Sequence, residues 1–176
     1  AIALGRGLVL QGTRIHFKRN EEIFGEGENA EYVYRVVSGA VRTIRFSSDG
    51  RRQILGFYLP GDVFGLEAGE AHTLSAEAVC DSDLSLVRRS MIDNAAARDT
   101  GAAQALIALM QRQLRNAHEH AIVLGRKGAG ERVAAFLLEL GARAAPNCEI
   151  DLPMSRADIA DYLALTIETV SRAFTQ

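Results

Sequence analysis

Six apolar residues in the middle of the chain recur at alternating intervals of three and four positions. They are Ile107, Met110, Leu114, Ala117, Ala121 and Leu124. Residues at this spacing lie along one face of a helix, and the pattern is typical of the seam between two paired helices. We therefore predict a helix over residues 101–124 that joins two copies of the chain in a homodimer.

A second apolar edge, formed by Leu106 and Leu109, lies beside this seam. A helix with two apolar edges can pack on its own domain with one edge and on a partner with the other. We favour homodimerisation through the six-residue seam. The alternative is that both edges pack inside the same chain.

The segment before this helix has the pattern of short strands. Apolar or β-branched runs alternate with glycine-bearing turns, of which Asp49-Gly50 is the strongest and resembles a two-residue hairpin turn. The runs cover residues 32–39, 40–47, 53–59 and 73–80. Many short strands with regular turns predict an antiparallel barrel or sandwich.

Capping residues mark where the chain changes from strand to helix. Ser90 with Asp93 has the spacing of a capping box for a short helix, and Asp99 or Thr100 is placed to cap the long one. Beyond the long helix, Gly125, Gly128 and Gly130 interrupt the pattern and predict a hinge. We therefore expect an α+β protein with residues 1–98 as a β domain, 99–125 as a dimerisation helix and 126–176 as a second domain.

Two short helices are predicted near the end of the chain. Ser155 and Asp158 form a capping box that opens a helix over 156–163, and Thr166 is placed to cap another from Ile167. Two helices joined by so short a turn describe a helix-turn-helix, which lays its second helix in the DNA major groove.

The outward face of the second helix carries Glu168, Ser171 and Arg172, which share one side at i, i+3 and i+4. Arginine donates two hydrogen bonds to guanine, glutamate accepts from cytosine N4, and serine contacts either base. The same spacing also suits a surface ion pair between Glu168 and Arg172, so the pattern alone leaves both interpretations open.

Charge and composition restrict the function further. The net charge of the 176 residues is −2, and from residue 126 onward acidic residues outnumber basic ones by one, so DNA binding has to rest on local geometry. No apolar run is long enough to cross a bilayer and the first residues lack the pattern of a signal peptide, so we expect a cytoplasmic location. No nucleophile–base pair, metal cluster or phosphate loop indicates an enzyme.

Four ordered motifs carry a family resemblance. FGEGENAEYVYRVVSGAVR, SSDGRRQILGFYLPGDVFGLE, GERVAAFLLEL and LPMSRADIADYLALTIETVSR together resemble the Crp/Fnr superfamily of bacterial transcription regulators, most closely its FixK-like branch. The resemblance covers about residues 12–176. It implies an N-terminal antiparallel β-roll of the cyclic-nucleotide-binding type, a long dimerisation helix and a C-terminal winged helix-turn-helix.

The resemblance also implies roles for residues of the second domain. Glu168, Ser171 and Arg172 match the E-x-x-S-R positions that contact a TTGA-type half-site in Fnr-like members. Arg156, Thr166 and Thr169 match positions that touch or neighbour DNA phosphates in Crp-like members. The expected function is therefore a homodimeric, DNA-binding regulator that recruits RNA polymerase, with repression by the same contacts as the alternative.

Several departures from the family pattern limit this expectation. The stretch FGLEAGEAHTLSAEAV, residues 64–79, has Leu66 in place of the phosphate-binding glutamate and contains no arginine, so we expect no response to cyclic AMP. Two cysteines, Cys80 and Cys148, are too few for a four-cysteine iron–sulfur cluster, so no cofactor is expected. Ala164 replaces the glycine usual at the turn.

Three further expectations concern the end of the chain, the second cysteine and the turn at Asp49-Gly50. The chain ends at Gln176, before the family's wing, which suggests a fragment of a longer protein. Cys148 is a candidate for a redox-sensitive residue, with an ordinary reduced thiol as the alternative, and Arg51 and Arg52 beside Asp49-Gly50 suit either a polymerase contact or an ordinary solvated turn. A ligand-sensing interaction module with a degenerate helix-turn-helix is the competing class, and an arginine in 64–79 would favour it.

Overall fold

The computed structural model describes residues 1–4, 8–67, 69–143 and 152–175. Within these ranges the chain forms ten strands followed by five helices. The strands are β1 (Ile2–Leu4), β2 (Leu8–Leu10), β3 (Thr13–Phe17), β4 (Glu22–Phe24), β5 (Tyr32–Ser38), β6 (Val41–Phe46), β7 (Arg52–Tyr58), β8 (Val63–Phe64), β9 (Ser75–Ala78) and β10 (Ser82–Arg88). The helices are α1 (Arg89–Arg98), α2 (Thr100–Arg126), α3 (Ala129–Arg143), α4 (Arg156–Leu163) and α5 (Ile167–Ala173).

The strands build a β-roll from two four-stranded antiparallel sheets, in the orders β3-β10-β5-β8 and β4-β9-β6-β7, with β1 and β2 as a separate hairpin. Phe24, Tyr34, Phe64 and Leu84 are buried in its interior. The four predicted strands are confirmed as β5, β6, β7 and β9. Strands β1, β2, β4 and β8 were missed because they have only two or three residues, and β3 because it is almost fully exposed and has no apolar alternation. Strand β10 was also missed, although it has seven residues and is largely buried.

The turn at Asp49-Gly50 joins β6 to β7 as predicted, but its loop is longer than two residues. The Ser47 N–H donates to the Arg51 carbonyl at 2.9 Å, which leaves residues 48–50 as a three-residue loop. Gly50 has φ +79, the left-handed conformation that a type I turn followed by a bulge requires. The longer loop places Asp49 against the Arg51 guanidinium at 2.7 Å.

The helix caps were predicted with mixed success. Asp99 caps α2 by accepting from the Ala102 N–H at 2.6 Å, as expected. The capping box at Ser90 and Asp93 is wrong, because α1 begins directly after β10 with Arg88 at the cap position and no side-chain cap. The continuous strand-to-helix transition places Ser90 inside the first turn.

The break between the long helix and the second domain is shorter than three glycines suggested. Gly125 lies within α2 and Gly130 within α3, so only Lys127 and Gly128 separate the two helices. Helix α3 buries Val133, Phe136 and Leu140.

One hydrophobic cluster joins the β-roll to the C-terminal helices. Ile44, Ile54 and Val79 of the roll pack in the same cluster as Phe136 and Tyr162. The Phe57 ring lies 5.2 Å from the Tyr162 ring and 6.1 Å from the Phe136 ring, measured between centroids. Among the described helices, none has the length and apolarity needed to cross a bilayer.

Candidate nucleic-acid interface

Helices α4 and α5 form the predicted helix-turn-helix, and both predicted caps are present. Ser155 Oγ accepts from the Asp158 N–H at 3.1 Å, while the Asp158 carboxylate accepts from the Ser155 N–H at 3.2 Å. Thr166 Oγ1 accepts from the Thr169 N–H at 3.3 Å at the start of α5. Leu163 and Val170 are almost fully buried, which packs the two helices on the rest of the domain.

The turn between the helices contains the strained residue that the sequence indicated. Ala164 has φ 51 and ψ 49, a left-handed conformation that costs a non-glycine residue about 1 kcal/mol or more. Arg132 of α3 donates from Nη1 to the Leu163 carbonyl at 3.1 Å and to the Ala164 carbonyl at 3.4 Å. Sequence reasoning missed Arg132, because 31 residues separate it from Leu163.

The outward face of α5 presents Glu168 and Arg172 to solvent, with Ser171 half-buried between them. Both ends of the alternative ion pair are described, and their charged atoms do not approach within the 4.0 Å of a salt bridge. Hydrogen bonds from its own backbone N–H and from the Thr166 hydroxyl lower the pKa of Glu168. Its carboxylate is therefore ionised and able to accept from a base edge.

The three residues assigned to phosphate contact lie around this face. Arg156 is exposed, and its Nη1 is 3.4 Å from Ser171 Oγ while its guanidinium carbon is 6.0 Å from the Phe174 ring centroid. Thr166 Oγ1 and Thr169 Oγ1 lie 3.1 Å apart at the start of α5. All six predicted DNA-contacting residues thus lie on α5, at its cap or directly beside it.

The inner side of α4 is bound to the β-roll by arginines. Asp158 Oδ1 accepts from Arg42 Nη1 at 3.0 Å and from Arg52 Nη2 at 2.7 Å, and Asp161 accepts from Arg52 Nε at 2.8 Å. Arg52 therefore points into the molecule, which contradicts its placement in a solvated turn or polymerase contact. Arg51 is exposed and pairs only with Asp49 among the described residues.

Asp158 is ionised despite its burial. Burial alone would raise the pKa of its carboxyl group, but hydrogen bonds from Ser155 and the charge of Arg42 outweigh that effect and lower the pKa. The carboxylate therefore remains charged at neutral pH, as the contacts with two guanidinium groups require.

The seam of α2 is open to solvent in the single chain. Ile107, Met110 and Leu114 are 55%, 44% and 57% exposed. Ala117 and Ala121 are also exposed, and Leu124 is partly buried. The second edge packs inward instead, since Leu106 contacts the cluster around Ile92. The alternative in which both edges pack inside one chain does not fit this burial.

Residues 64–79 are the stretch in which the family's phosphate-binding residues are expected, and two of its side chains pack against the rest of the chain. Leu66 packs partly buried against a cluster behind β5. His72 is buried and its ring stacks on Phe24 at 3.6 Å between centroids, with Nδ1 3.2 Å from Glu67 Oε1. This contact does not have the geometry of a hydrogen bond. Neither His72 Nδ1 nor the other carboxylate oxygen, Glu67 Oε2, has a hydrogen-bond partner among the described residues.

The remaining predicted positions carry no site in the described part of the chain. Cys80 is a partly buried free thiol, and Cys148 lies outside the described residues. Within the described ranges, no group of three or more histidine, cysteine, aspartate or glutamate residues is arranged to hold a metal ion.

Comparison with protein families places two models on the chain. The cyclic nucleotide-binding domain matches residues 14–99, and the Crp-like helix-turn-helix domain matches residues 131–176.

The chain is also similar to individual regulatory proteins. The chain is 52% identical over 169 residues to the nitrogen fixation regulation protein FixK of Azorhizobium caulinodans, covering 93% of this chain and 68% of that protein. It is 35% identical over 165 residues to the transcriptional activator protein Anr of Pseudomonas protegens, covering 90% of this chain and 68% of the relative. The structure of FixK2 from Bradyrhizobium japonicum matches with a TM-score of 0.91 at 54% identity, covering 95% of this chain and 84% of that one. The chain therefore belongs to the FixK-like branch of the Crp/Fnr family of DNA-binding transcription regulators.

Proposed function

We propose that this chain acts as a homodimeric activator that binds a palindrome of TTGA-type half-sites without cyclic AMP. The observation that carries the proposal is the presentation of Glu168 and Arg172, both exposed and not paired with each other, on a capped helix whose opposite face is buried through Val170. This is the arrangement that a recognition helix needs for base contacts in the major groove.

In this proposal Arg172 donates to guanine O6 and N7, Glu168 accepts from cytosine N4, and Ser171 contacts an adjacent base. Arg156, Thr166 and Thr169 contact phosphates, which fixes the register of the helix without selecting sequence. The contact between Arg156 and Ser171 links the two groups of residues.

Two copies of the recognition helix are needed for a palindrome. The exposed seam residues Ile107, Met110 and Leu114 support pairing of α2 with its copy, since a contiguous apolar face of this kind marks an interaction surface. Ala117, Ala121 and Leu124 continue the same face toward the second domain.

The side chains of residues 64–79 support DNA binding that does not depend on cyclic AMP. Leu66 offers no polar contact, and the Glu67 carboxylate, which lies beside His72, would repel a phosphate. Binding of cyclic AMP detectable by titration calorimetry would contradict this part of the proposal.

Activation is supported by the name of the Anr relative, a transcriptional activator protein. In this proposal the dimer activates by recruiting RNA polymerase, and the function is non-enzymatic and cytoplasmic. Repression by the same DNA contacts is the competing outcome. Transcription from a template carrying the palindrome at different distances from a promoter distinguishes them, because a repressor lowers transcription wherever its site overlaps the polymerase.

Fluorescence anisotropy at one fixed salt concentration tests the base contacts. A duplex with TTGAT half-sites is compared with the same duplex after inversion of the G·C pair, and we expect a preference of at least about tenfold, or about 1.4 kcal/mol. Arg172→Ala should cost about 1–3 kcal/mol and remove the preference, because it loses the bidentate contact to guanine.

Arg156→Ala is the matched control for that variant. It should weaken both duplexes by the same factor, since phosphate contacts carry no sequence information. An unchanged preference in Arg172→Ala would refute its role, and equal binding of both duplexes by the unaltered chain would favour the interaction-module class.

A further inference from the structure

The β-roll and α4 meet through two kinds of contact. Apolar packing places Phe57 and Ile54 against Tyr162 and its neighbours. Beside it lies a group of ion pairs that joins strands β6 and β7 to the first helix of the helix-turn-helix. We call Arg42, Arg52, Asp158 and Asp161 the arginine clamp.

Asp158 divides its two carboxylate oxygens between two tasks. Oδ2 accepts from the Ser155 N–H and hydroxyl at 3.2 and 2.9 Å and so completes the cap of α4. Oδ1 accepts from the two arginines of the roll. The residue that starts the first helix of the DNA-binding unit is therefore also the residue that the roll holds.

Arg42 is fixed from several sides. Its Nε and Nη2 donate to Glu77 Oε2 at 3.0 and 2.6 Å, and Nη2 also donates to Asn20 Oδ1 at 3.2 Å. Its side chain is only 7% exposed. A guanidinium held by two strands and a loop has one orientation, so it defines where Oδ1 of Asp158 lies.

Arg52 and its neighbour extend the contact along the next turn of α4. Arg52 Nη2 lies 2.7 Å from both Asp158 Oδ1 and Asp161 Oδ2, and Gln53 Nε2 donates to the Asp161 carbonyl at 2.7 Å. Contacts at positions i and i+3 on the helix restrain its rotation about its own axis.

The covalent connection does not supply this restraint. Only Lys127 and Gly128 join α2 to α3, and the side chains bound to this linker, those of Glu131 and Arg132, belong to the start of α3 and not to the β-roll. Apolar packing favours contact but is non-directional. Charged, bidentate hydrogen bonds are directional, and the best-attested use of buried ionic groups is to fix register.

We propose that Arg42 and Arg52 are positioning residues that set the orientation of the recognition helices relative to the dimer axis and thereby select the spacing of the two half-sites. The inference rests on the homodimeric, palindromic binding proposed above. Half-site spacing follows from the geometry of the dimer, so a looser clamp accepts more than one spacing.

The test measures spacing selectivity by fluorescence anisotropy at fixed salt. One duplex carries TTGAT half-sites about 10 bp apart between centres, and others have about 8 and 12 bp. The unaltered chain should prefer one spacing by at least about tenfold, and Arg52→Gln should reduce that preference to about twofold or less. Asp161→Asn should have the same effect, because it removes the other end of the same pair.

Arg51→Gln is the matched control, since it removes the same charge from the adjacent residue, whose only partner among those described is Asp49 on the surface. It should keep the full spacing preference. Arg52→Lys should restore part of the preference, because a point charge replaces the fork that contacts both aspartates. Arg42→Gln is expected to act in the same direction, and circular dichroism confirms that each variant is folded.

The outcomes separate the two proposals. A fully retained spacing preference in folded Arg52→Gln and Asp161→Asn overturns the clamp while leaving palindromic binding intact. A purely stabilising role would lower the melting temperature without changing the preference, which also overturns it. If the unaltered chain binds duplexes of all spacings equally, both the proposed palindromic binding and the proposed role of the clamp are refuted.

Discussion

At the scale of single residues, two features hold the helix-turn-helix against neighbouring helices: the left-handed turn at Ala164 and the stacking of Tyr162 on His120. Ala164 occupies a left-handed conformation, and Arg132 donates to the carbonyls on either side of it. His120 of α2 stacks on Tyr162 of α4 with 4.0 Å between ring centroids and an angle of 13°. The first feature connects the helix-turn-helix to α3, and the second connects it to α2.

Ala164→Gly should stabilise the protein by about 1 kcal/mol, because glycine adopts positive φ without the steric cost of Cβ. Chemical unfolding measures the change. Ala108→Gly, at an exposed position in the interior of α2, is the matched control and should destabilise by about 1 kcal/mol. A loss of stability at both positions would show that the turn is not strained.

His120 should make stability depend on pH. Burial lowers the pKa of His120 below its ordinary 6.5, partly offset by a hydrogen bond with the Tyr162 backbone, and its Nε2 has no partner among the described residues. The unfolded chain therefore binds the proton more readily, so stability rises with pH between the folded pKa and about 6.5 and falls on acidification through that window.

Unfolding free energies at pH 7.5 and 5.5 measure this effect. His120→Phe retains a ring against Tyr162 and should lose less stability on acidification than the unaltered chain. His118→Phe, at an exposed position on the same helix, should leave the dependence unchanged. If the unfolding free energy of all three chains depended on pH in the same way, His120 would not be the cause of that dependence.

At the scale of elements, α2 has one apolar face that packs on its own chain and another that is exposed. Leu106 packs on the β-roll, whereas Leu114 on the seam is 57% exposed. A substitution at Leu114 therefore disturbs the surface of the helix without opening the core of its own chain.

Leu114→Glu should convert the dimer into a monomer with weak, non-cooperative DNA binding. Each leucine buried at a dimer seam contributes about 1.5–3 kcal/mol, and the substitution adds two facing carboxylates in its place. Light scattering after size exclusion measures the mass. Asn116→Glu places the same charge on the exposed side of the helix and should remain dimeric. An unchanged dimer in Leu114→Glu would contradict the seam.

At the scale of the whole molecule, the β-roll and the C-terminal helices share one core. Phe57 of the roll contacts Phe136 of α3 and Tyr162 of α4, and the clamp residues lie beside it. Two domains joined this closely are expected to unfold together rather than one after the other.

Calorimetry should therefore record a single unfolding transition. Phe57→Ala should lower the free energy of unfolding by about 3 kcal/mol and move the whole transition, because it opens a cavity between the two domains. Phe46→Ala removes the same ring from a side chain that is 57% exposed and should change stability by no more than about 0.5 kcal/mol. Two separate transitions would show that the shared cluster does not couple the domains.

The sequence by itself determined the local features: the period of α2, the cap at Asp99, the capping box of α4 and the helix-turn-helix that indicated a DNA-binding regulator. These depend on residues three or four positions apart, so a short window contains the whole interaction. Only the tertiary structure decided that Arg52 points inward to Asp158, 106 residues away, or that His72 stacks on Phe24. Such pairs are set by how the sheets and helices fold onto each other, and an arginine beside a hairpin turn has the same local pattern whether it meets solvent or an aspartate.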